Sequence, residues 1–519
     1  MQRPGHCLLP AVLAAALLLP APAAGAQAPT VTATVPSPEA DRRLVRDLEA
    51  FIGEALARLP TIPALSVAVS RSGGPLFVRG FGRADVEAGV PADADTRFYI
   101  ASSTKSFVSL ALALLEERGV IDLDWTLAEL APDVRFAPDI RAGEVTLQHL
   151  LSHTHGLLDE PIVFRLGLSG EHDQATLWRL LGRLEPNSGA PFGTFRYGNI
   201  GYNLATLLIE RRLGRPWQDI VEREVFVPLG LRQTLTRGLE RARTRARFAA
   251  PYTSLGPNSP VRRYLIRHDD TMQSGGGIYS SAKDMARWLR FNLSASRGGE
   301  TALPAAVGAA THRPVVTMNQ RFAMFRRAGY GLGWYSGDYH GDTLVHSFGA
   351  FTGARAHVSF IPTRDIGVAV LTNDEGAGFI LTDVVAAYVY DWLREGPEAA
   401  GRTGRERIAE IAAQVEASIA QIAAEQARIA GRHWRLTLPP AAYGGRYCHP
   451  DYGTLTIAEE NGALIVRVGR LRGTGQPLEM TDAMRIELVP GDGGVLRFVA
   501  TDGRVVAVQA LGSEFRRCA

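Results

Sequence analysis

The order of strand-like and helix-like segments constrains the fold of this chain more than any other sequence feature. Runs rich in β-branched and aromatic residues lie near the N-terminus and again after residue 325, whereas the stretch between them is mostly helical and irregular. The predicted strands are 64–69, 76–78, 330–335, 344–348, 354–360 and 367–373. The simplest fold that uses both ends is α/β of the α+β type: one antiparallel sheet, helices on its faces and a helical insert on one side.

A second domain is expected, because 519 residues exceed what one hydrophobic core usually supports. Gly396, Gly401 and Gly404 indicate a linker, and a charged helix with an isoleucine stripe is predicted over 405–430. Such a stripe can serve a cofactor or a partner, but packing on a neighbouring domain is the expected role. Short strands follow from Trp434 and predict a small β-barrel or sandwich, for which we expect a lipocalin-like shape. The predicted division of the mature chain is 27–395, 396–435 and 436–519.

Composition and charge exclude several classes of protein. Hydrophobic residues make up 46% of the chain and charged residues 21%, which is typical of a folded protein rather than a disordered one. A formal net charge of +3 is small for this length, so nucleic acid and acidic membrane surfaces are not expected as partners. The sequence indicates no oligomeric state.

The first residues are typical of a secretory signal at 1–26. Arg3 precedes an apolar run over 8–19, and Ala24-Gly25-Ala26 offers small residues for cleavage. The alternative is a membrane anchor, but the run is short for a bilayer and prolines follow it, so stable membrane insertion is not expected. We therefore expect a periplasmic or secreted protein.

Two cysteines near the C-terminus remain in the mature chain, Cys448 and Cys518. In an oxidising compartment they can pair and close the last domain. Two buried free thiols are the alternative, because sequence alone does not show that the two Cα atoms approach each other.

A serine and a lysine three residues apart form the strongest candidate for catalytic chemistry. Ser102 lies at the start of an apolar helix, and Lys105 lies one turn later on the same face. A desolvated lysine can take the proton of a serine hydroxyl, and the helix N-terminus favours the resulting alkoxide. Among the 56 basic residues only Lys105 and Lys283 are lysines, and arginine is unable to lose its proton near neutral pH. The alternative is an N-cap serine beside a surface lysine.

A second motif, Tyr197-x-Asn199, precedes another predicted helix over 204–212. A phenol can relay a proton between the serine, the leaving group and water, and an amide can hold a substrate carbonyl. A loop tyrosine that caps a helix is the alternative reading of the same residues.

In these two motifs the chain resembles the family of class C β-lactamases, penicillin-binding D,D-peptidases and esterases. The similarity covers roughly residues 45–395 and includes further motifs in the family's order. These motifs are Val145–Leu157 with its Leu-Leu-Ser-His-Thr-His-Gly-Leu, Pro228–Leu231, Gly275–Met285, and Tyr330–Trp334, which reads Tyr-Gly-Leu-Gly-Trp.

The resemblance implies a β-lactamase/transpeptidase-like sheet and a serine hydrolase that acts through an acyl-enzyme. It implies Ser102 as nucleophile, Lys105 and Tyr197 as proton-transfer groups and Asn199 as a substrate-binding residue. The backbone amides of Ser102 and Ala350 are the implied oxyanion hole. Neither a metal nor an organic cofactor is expected.

The family's third motif, Lys/His-x-Gly on the strand beside the serine, is altered here. Anchored on its glycine the motif is Ser347-Phe348-Gly349, with serine at the basic position; anchored on histidine it is His346-Ser347-Phe348, without the glycine. The spacing to the next glycine favours the first register, and His346, Ser347 and Gly349 all stay candidates for contact with substrate. Loss of the basic residue argues against carboxylate recognition in β-lactams and D-Ala-D-Ala peptides. Arg355 is another candidate carboxylate ligand, although an arginine at a strand edge is usually solvated.

Three histidines, His149, His153 and His155, offer an i, i+4 pair and a third ring close by, as a zinc site would. His153 falls where the resembling family carries a structural histidine, and no carboxylate motif accompanies the three, so we expect no metal site.

The expected function is hydrolysis of a small-molecule or peptide substrate by an exported serine hydrolase. Three substrates remain open: a D-amino-acid peptide or amide, a carboxylic ester and a β-lactam. A non-catalytic penicillin-recognising sensor on the same fold is the alternative from another class. The combination of Ser102 with a base beside it argues against a sensor, because a binding module does not need that base.

Overall fold

The computed structural model describes residues 37–256 and 258–518. The signal sequence predicted at 1–26 lies outside the described residues. Within those that are described, no helix combines the length and the apolar character that crossing a membrane requires.

A nine-stranded antiparallel sheet forms the centre of the larger part of the chain. Its order is β4-β5-β6-β7-β8-β9-β1-β2-β3, with β1 paired antiparallel to β9, so strands from both ends of this part lie side by side. The strands are β1 (Ala64–Arg71), β2 (Gly74–Asp85), β3 (Val90–Pro91), β4 (Val316–Phe322), β5 (Phe325–Tyr330), β6 (Tyr335–Tyr339), β7 (Asp342–Phe351), β8 (Ala354–Ile361) and β9 (Ile366–Thr372). The predicted α+β sheet built from both ends is confirmed.

Helices cover both faces of this sheet, because successive strand residues point to opposite sides and both sides are apolar. The longest described helices are α1 (Pro38–Arg58), α2 (Thr104–Glu117), α3 (Ile200–Leu213), α4 (Ala282–Ser296), α5 (Ala377–Glu395) and α6 (Pro397–Ala430). On one face α1, α5 and α6 share a core with the sheet, and on the other α2, α3 and α4 do.

The remaining helical segments are short and lie mostly between β3 and β4. They are Ala101–Ser103, Leu127–Leu130, Leu147–Leu151, Glu160–Phe164, Arg165–Ser169, Gln174–Leu181, Trp217–Val221, Glu222–Phe226, Val227–Leu229, Leu239–Arg243, Gln273–Gly276, Ala305–His312, Pro362–Arg364 and Pro440–Tyr443. Three two-stranded ladders join Phe98–Tyr99 to Tyr279–Ser280, Leu157–Leu158 to Glu185–Pro186, and Tyr252–Thr253 to Val261–Arg262.

The predicted strand at 330–335 is wrong. β5 ends at Tyr330 and β6 begins at Tyr335, with a turn between them. Gly333 has a φ of +81° there, and a Cβ on it would lie 2.5 Å from the Cα of Ser106. The turn is therefore held against α2, which a continuous strand would not allow. β4 was also not expected, because it lies in the stretch predicted to be helical or irregular.

Two of the three glycines predicted to form a linker lie inside a helix, and the third, Gly396, directly precedes it. α6 begins at Pro397 and runs through Gly401 and Gly404. At Gly404 a Cβ would lie 2.5 Å from the ring of Phe51 in α1, so this glycine permits close contact between the two helices. Ile408 is buried in the same core as α1 and α5, which agrees with packing as the role of the isoleucine stripe.

Residues after α6 form a second nine-stranded antiparallel sheet with up-and-down order, β13-β12-β11-β10-β18-β17-β16-β15-β14. Its strands are β10 (Gly445–His449), β11 (Gly453–Glu460), β12 (Ala463–Val468), β13 (Leu471–Thr474), β14 (Gln476–Pro477), β15 (Ala483–Val489), β16 (Asp492–Thr501), β17 (Arg504–Ala510) and β18 (Ser513–Arg517). β13 and β15 lie close together: a Cβ on Gly473 would be only 2.6 Å from the carbonyl oxygen of Glu487. The sheet is thus a nearly closed barrel, as predicted.

Cys448 and Cys518 form a disulfide, with their Cα atoms 5.5 Å apart. The bond joins β10 to the residue that follows β18. Of the two alternatives left open by the sequence, pairing is therefore the one that the structure contains.

The barrel packs on two segments of the insert between β3 and β4. Phe164 and Leu265 from the insert are buried in the barrel's hydrophobic core. Arg179 forms an ion pair with Asp451 (2.7 Å), and a second pair joins Arg470 to Asp270 (2.7 Å). The segment with Leu265 and Asp270 continues directly into the short helix Gln273–Gly276.

Candidate active site

Ser102 lies in a short 3-10 turn, Ala101–Ser103, which joins the strand Phe98–Tyr99 to α2. The turn is tight: Ala101 has a φ of +43°, a left-handed conformation that residues other than glycine seldom adopt. Gly349 on β7 packs directly against it. A Cβ on Gly349 would lie 1.8 Å from the Ile100 carbonyl oxygen and 3.0 Å from the Ser102 amide nitrogen. Only glycine allows β7 to come this close to the serine.

Lys105 lies in the first turn of α2 and is almost completely buried, with 1% of its surface exposed. Its Nζ is 3.2 Å from Ser102 Oγ, 2.8 Å from Asn199 Oδ1 and 2.6 Å from the carbonyl oxygen of Gly275. Burial lowers the pKa of this lysine from 10.5 to about 7. A substantial fraction of the amine is therefore neutral near pH 7 and able to accept a proton.

The Gly275 carbonyl is held in place by buried polar groups from α3. The Gly275 amide donates to Oδ1 of Asn203 (3.0 Å), and the hydroxyl of Ser274 donates to the carbonyl of Tyr202 (3.0 Å). A Cβ on Gly275 would lie 3.1 Å from the side chain of Asn199, so a larger residue would displace that amide. The short helix Gln273–Gly276 and the start of α3 thus fix two of the three acceptors around Lys105.

Tyr197 lies across the serine from α2. The Nζ of Lys105 is 5.0 Å from the centre of the Tyr197 ring, and His153 packs against the same ring with centroids 4.6 Å apart. Burial raises the pKa of the Tyr197 phenol well above its usual range, whereas its interaction with the Ser102 hydroxyl and the charge of Arg327 oppose that rise. The phenol therefore keeps its proton at neutral pH and acts as a donor beside Ser102.

The second half of β7, which lies beside Ser102 and Tyr197, is paired with a neighbouring strand on one side only. β6 pairs with β7 only as far as Tyr335 opposite His346, whereas β8 pairs with β7 as far as Phe351. Residues 347–351 therefore have a strand on one side only, and the ring of Phe348 stacks on Tyr197 at 5.9 Å. Alternate backbone groups of such an edge are free to bind an extended ligand.

Alternation along β7 separates the candidates of the third motif. Ser347 and Gly349 share a face with Val345, which belongs to the core around α2, whereas His346 shares a face with Leu344, which belongs to the core around α5. The structure therefore brings Gly349 to the serine turn and keeps Ser347 on the same face, whereas the side chains of His346 and Ala350 point to the opposite face. His346 is buried, its ring stacks on Tyr335 (5.3 Å), and its Nε2 accepts a hydrogen bond from Arg327 (3.2 Å).

Arg355 is neither solvated nor available to a ligand at the strand edge, so both expectations for it are wrong. It is completely buried and pairs with Asp383 of α5 at 3.3 Å. Arg327 lies on the same face between the rings of Phe322 (3.8 Å) and Tyr335 (3.7 Å). Two cations thus lie behind the edge strand, on the side away from Ser102.

The three histidines considered as metal ligands have separate partners. His149 caps its own helix through Thr146, and Nδ1 of His155 accepts from the Leu157 amide (3.0 Å). His153 Nε2 lies 3.2 Å from the hydroxyl of Tyr330. In the part of the chain that the structure describes, no three His, Cys, Asp or Glu side chains are grouped as a metal site would require.

The family model for the β-lactamases matches residues 52–389, which contain all of these site residues. The chain belongs to the β-lactamase family. It is 31% identical to Esterase EstB of Burkholderia gladioli over 67% of this chain and 95% of that protein. It is also 28% identical to the Unguisins hydrolase ungD of Aspergillus violaceofuscus, over 90% of this chain and 85% of that protein.

Solved structures agree with the β-lactamase fold. The octameric penicillin-binding protein homologue from Pyrococcus abyssi matches with a TM-score of 0.57 and 22% identity, covering 91% of this chain and 99% of that one. A class C β-lactamase from Rhodobacter sphaeroides matches with a TM-score of 0.52 and 23% identity, covering 66% of this chain and 98% of that one. The first match extends over the barrel, so the combination of both parts occurs elsewhere in the β-lactamase fold.

Some residues of the site could not be recognised in the sequence of this β-lactamase family member. Asn203 is one, because an asparagine inside a helix gives no sign that its side chain binds the backbone amide of Gly275 in another helix. Arg327 is another: it lies just before the motif Tyr330–Trp334, but only the tertiary structure places its guanidinium 4.9 Å from the ring of Phe348. The role of the Gly275 carbonyl also depends on backbone direction, which the sequence does not encode locally.

Proposed function

We propose that this protein is an exported hydrolase that cleaves an amide or ester bond through an acyl-enzyme on Ser102. The distance of 3.2 Å between Lys105 Nζ and Ser102 Oγ, inside a buried site where burial depresses the pKa of the amine, is the observation that carries the proposal. A serine hydroxyl reacts only when a neighbouring base takes its proton, and Lys105 is positioned to be that base.

The proposed reaction has two halves. Lys105 accepts the Ser102 proton while Oγ attacks the substrate carbonyl, and the amides of Ser102 and Ala350 donate to the resulting oxyanion. Each such donor is worth about 2.7–4 kcal/mol in the transition state. Tyr197 delivers a proton to the leaving group as the carbonyl re-forms. The proton on Lys105 then passes to Tyr197, which restores the neutral amine and the phenol. Water attacks the ester of Ser102 while Lys105 accepts its proton, and that proton passes to Oγ as the acid product leaves. The side-chain amide nitrogen of Asn199 donates a hydrogen bond to a carbonyl oxygen of the substrate.

We favour a peptide amide or a carboxylic ester over a β-lactam as the substrate. Ser347 is uncharged at the position where the family's third motif carries its cation, and the guanidinium of Arg355 is engaged with Asp383. Binding of a β-lactam carboxylate at this edge would thus lack its usual charge partner. Two relatives of high coverage are named as an esterase and as an unguisins hydrolase, which supports the same choice.

Export is supported by the N-terminal sequence and by the paired cysteines. Disulfides such as Cys448–Cys518 form and persist mainly in oxidising compartments, including the periplasm and the exterior of the cell. A periplasmic or secreted location is therefore proposed for the mature chain that begins at Gln27.

Steady-state kinetics on three substrates test the substrate class: a p-nitrophenyl ester, a peptide ending in D-alanine, and a chromogenic cephalosporin. We expect kcat/KM for the ester or the peptide to exceed that for the cephalosporin by at least tenfold. Ser102→Ala should abolish all turnover. Ser103→Ala is the matched control, because the Ser103 hydroxyl is buried next to the nucleophile yet makes no hydrogen bond within the described residues. Faster turnover of the cephalosporin than of both other substrates would contradict the proposed preference.

A further inference from the structure

A small buried cavity lies behind the turn that carries Ser102. It offers about 10 Å³ to the centre of a water-sized sphere, which is room for one water molecule or one monatomic ion. Its walls come from the strand before Ser102, from the turn between β7 and β8, and from the segment before Gln273–Gly276. The residues that line it include Tyr99, Arg267 and Tyr279. None of the proposed catalytic side chains contributes to it.

Arg267 is the charged group of this cavity. It is buried, with 1% of its surface exposed, and its Nε, Nη1 and Nη2 atoms all lack a hydrogen-bond acceptor among residues 37–256 and 258–518. Its ion-pair partner there is Asp269, at 3.5 Å, whose side chain is 45% exposed. The Tyr99 hydroxyl in the same wall is also buried without a partner. A guanidinium stays protonated in proteins, so this buried charge cannot be removed by titration.

The surroundings of Arg267 add positive charge rather than remove it. Nη2 of Arg243 donates to the Arg267 carbonyl (2.8 Å) and to the hydroxyl of Tyr279 (3.2 Å), so a second cation lies beside the cavity. Asp269 is shared, because it also accepts from the amides of Gly238 (2.8 Å) and Leu239 (3.2 Å). A buried cation with so little compensation costs several kcal/mol unless an anion accompanies it.

We infer that Arg267 and Tyr99 bind one small monovalent anion of halide size in this cavity. The guanidinium N–H groups and the phenol O–H group are all donors, which suits an ion that only accepts. A space of about 10 Å³ for the centre of a water-sized sphere suits a monatomic ion better than a carboxylate or a phosphate. Water would satisfy some of the donors but would leave the charge uncompensated, so an anion is preferred.

The position of this anion site connects it to the active site. A Cβ on Gly277 would lie 3.0 Å from Nη2 of Arg267, so the guanidinium packs against the backbone at that glycine. The next residue, Ile278, accepts a hydrogen bond from the Ile100 amide (3.1 Å) and donates to Oγ1 of Thr104 (3.0 Å). A bound anion therefore stabilises the segment that holds both the Ser102 turn and the Gly275 carbonyl.

Halide binding is tested on the full mature chain by thermal unfolding in sodium chloride against sodium gluconate at equal ionic strength. We expect the Tm of the wild type to rise along a saturable chloride curve. Arg267→Met should abolish that rise, and Tyr99→Phe should increase the half-saturating chloride concentration about three- to tenfold, the value of one hydrogen bond. Arg470→Met is the control, because this exposed arginine pairs with Asp270 outside the cavity, and it should keep the wild-type curve.

Crystals soaked in bromide give a readout that does not depend on the variants. The inference predicts an anomalous peak in contact with the Arg267 guanidinium and the Tyr99 hydroxyl. If Arg267→Met fails to fold, the wild-type chloride curve and this peak still decide the matter. A wild-type Tm that responds equally to chloride and gluconate, together with no bromide peak in the cavity, would overturn the inference and leave a water site.

Discussion

Replacement of Lys105 by methionine should make the stability of this protein depend less on pH. Burial moves the pKa of Lys105 from 10.5 to about 7, a difference of about 3.5 units and thus about 5 kcal/mol. Between pH 7 and 10.5 the unfolded chain binds a proton that the native chain does not, so wild-type stability rises with pH across this window. Below pH 7 the native amine is protonated as well, so the native state bears the full free-energy cost of a buried ammonium group.

The size of the effect follows from that difference. Lys105→Met lacks the titrating group, so its stability relative to wild type should fall by about 3 kcal/mol between pH 6 and pH 9. Urea unfolding at four pH values in this range measures both proteins. Any change in packing caused by methionine is the same at each pH and cancels from the slope. Lys283→Met is the matched control, because its exposed ammonium pairs with Asp95 at the surface (3.2 Å) and contributes little. Parallel curves for wild type and Lys105→Met would refute the idea that burial holds this amine largely neutral.

Three further results follow from the same structure. First, kcat/KM should rise as pH increases through about 7, because Lys105 must lose its proton to act as a base; a rate that falls through this pH would assign the base elsewhere. Second, Gly349→Ala should lower kcat at least a hundredfold, because a Cβ 1.8 Å from the Ile100 carbonyl must displace the Ser102 turn by about 1 Å or more, whereas Gly143→Ala, which meets nothing within 4 Å, should be silent in the same assay. Third, the double variant Cys448→Ser/Cys518→Ser should lose about 2–4 kcal/mol in the unfolding of the barrel, since the bond closes a loop with a sequence separation of 70; unchanged urea midpoints would contradict this.

The sequence predicted the parts of this fold that rest on periodicity and on order along the chain. The hairpin of β1 and β2 and the helices α1 and α5 were recognisable, because apolar spacing and turn residues encode them locally. The order of strand-like and helix-like segments indicated that both ends of the larger part share one sheet. The sequence did not reveal that Gly333 forms a turn packed against α2, or that Gly404 permits close helix packing instead of forming a linker. In a sequence, a glycine indicates only backbone flexibility. The contacts of Gly333 with Ser106 and of Gly404 with Phe51 show that both positions need a residue without a side chain.

The candidate site was partly predictable for a similar reason. Ser102 and Lys105 are neighbours on one helix turn, so their contact follows from the sequence, and Tyr197-x-Asn199 joins them through the family resemblance. The third motif was ambiguous because the direction of a strand residue depends on register. Pairing of β7 with β6 and β8 turns His346 away from the serine and keeps Gly349 toward it. The buried charges of Arg327, Arg355 and Arg267 were also hidden, since arginine in a sequence usually marks the surface.

Intact-mass spectrometry after exposure to a fluorophosphonate is the most direct test of the central claim that Ser102 is an activated nucleophile. A penicillin serves as the second reagent, and Ser102→Ala and Lys105→Ala are measured beside the wild type. The account predicts one stoichiometric fluorophosphonate adduct on the wild type, none on Ser102→Ala and slow formation on Lys105→Ala. A folded wild-type protein that forms no adduct with either reagent would contradict it and would favour a binding protein on a β-lactamase fold.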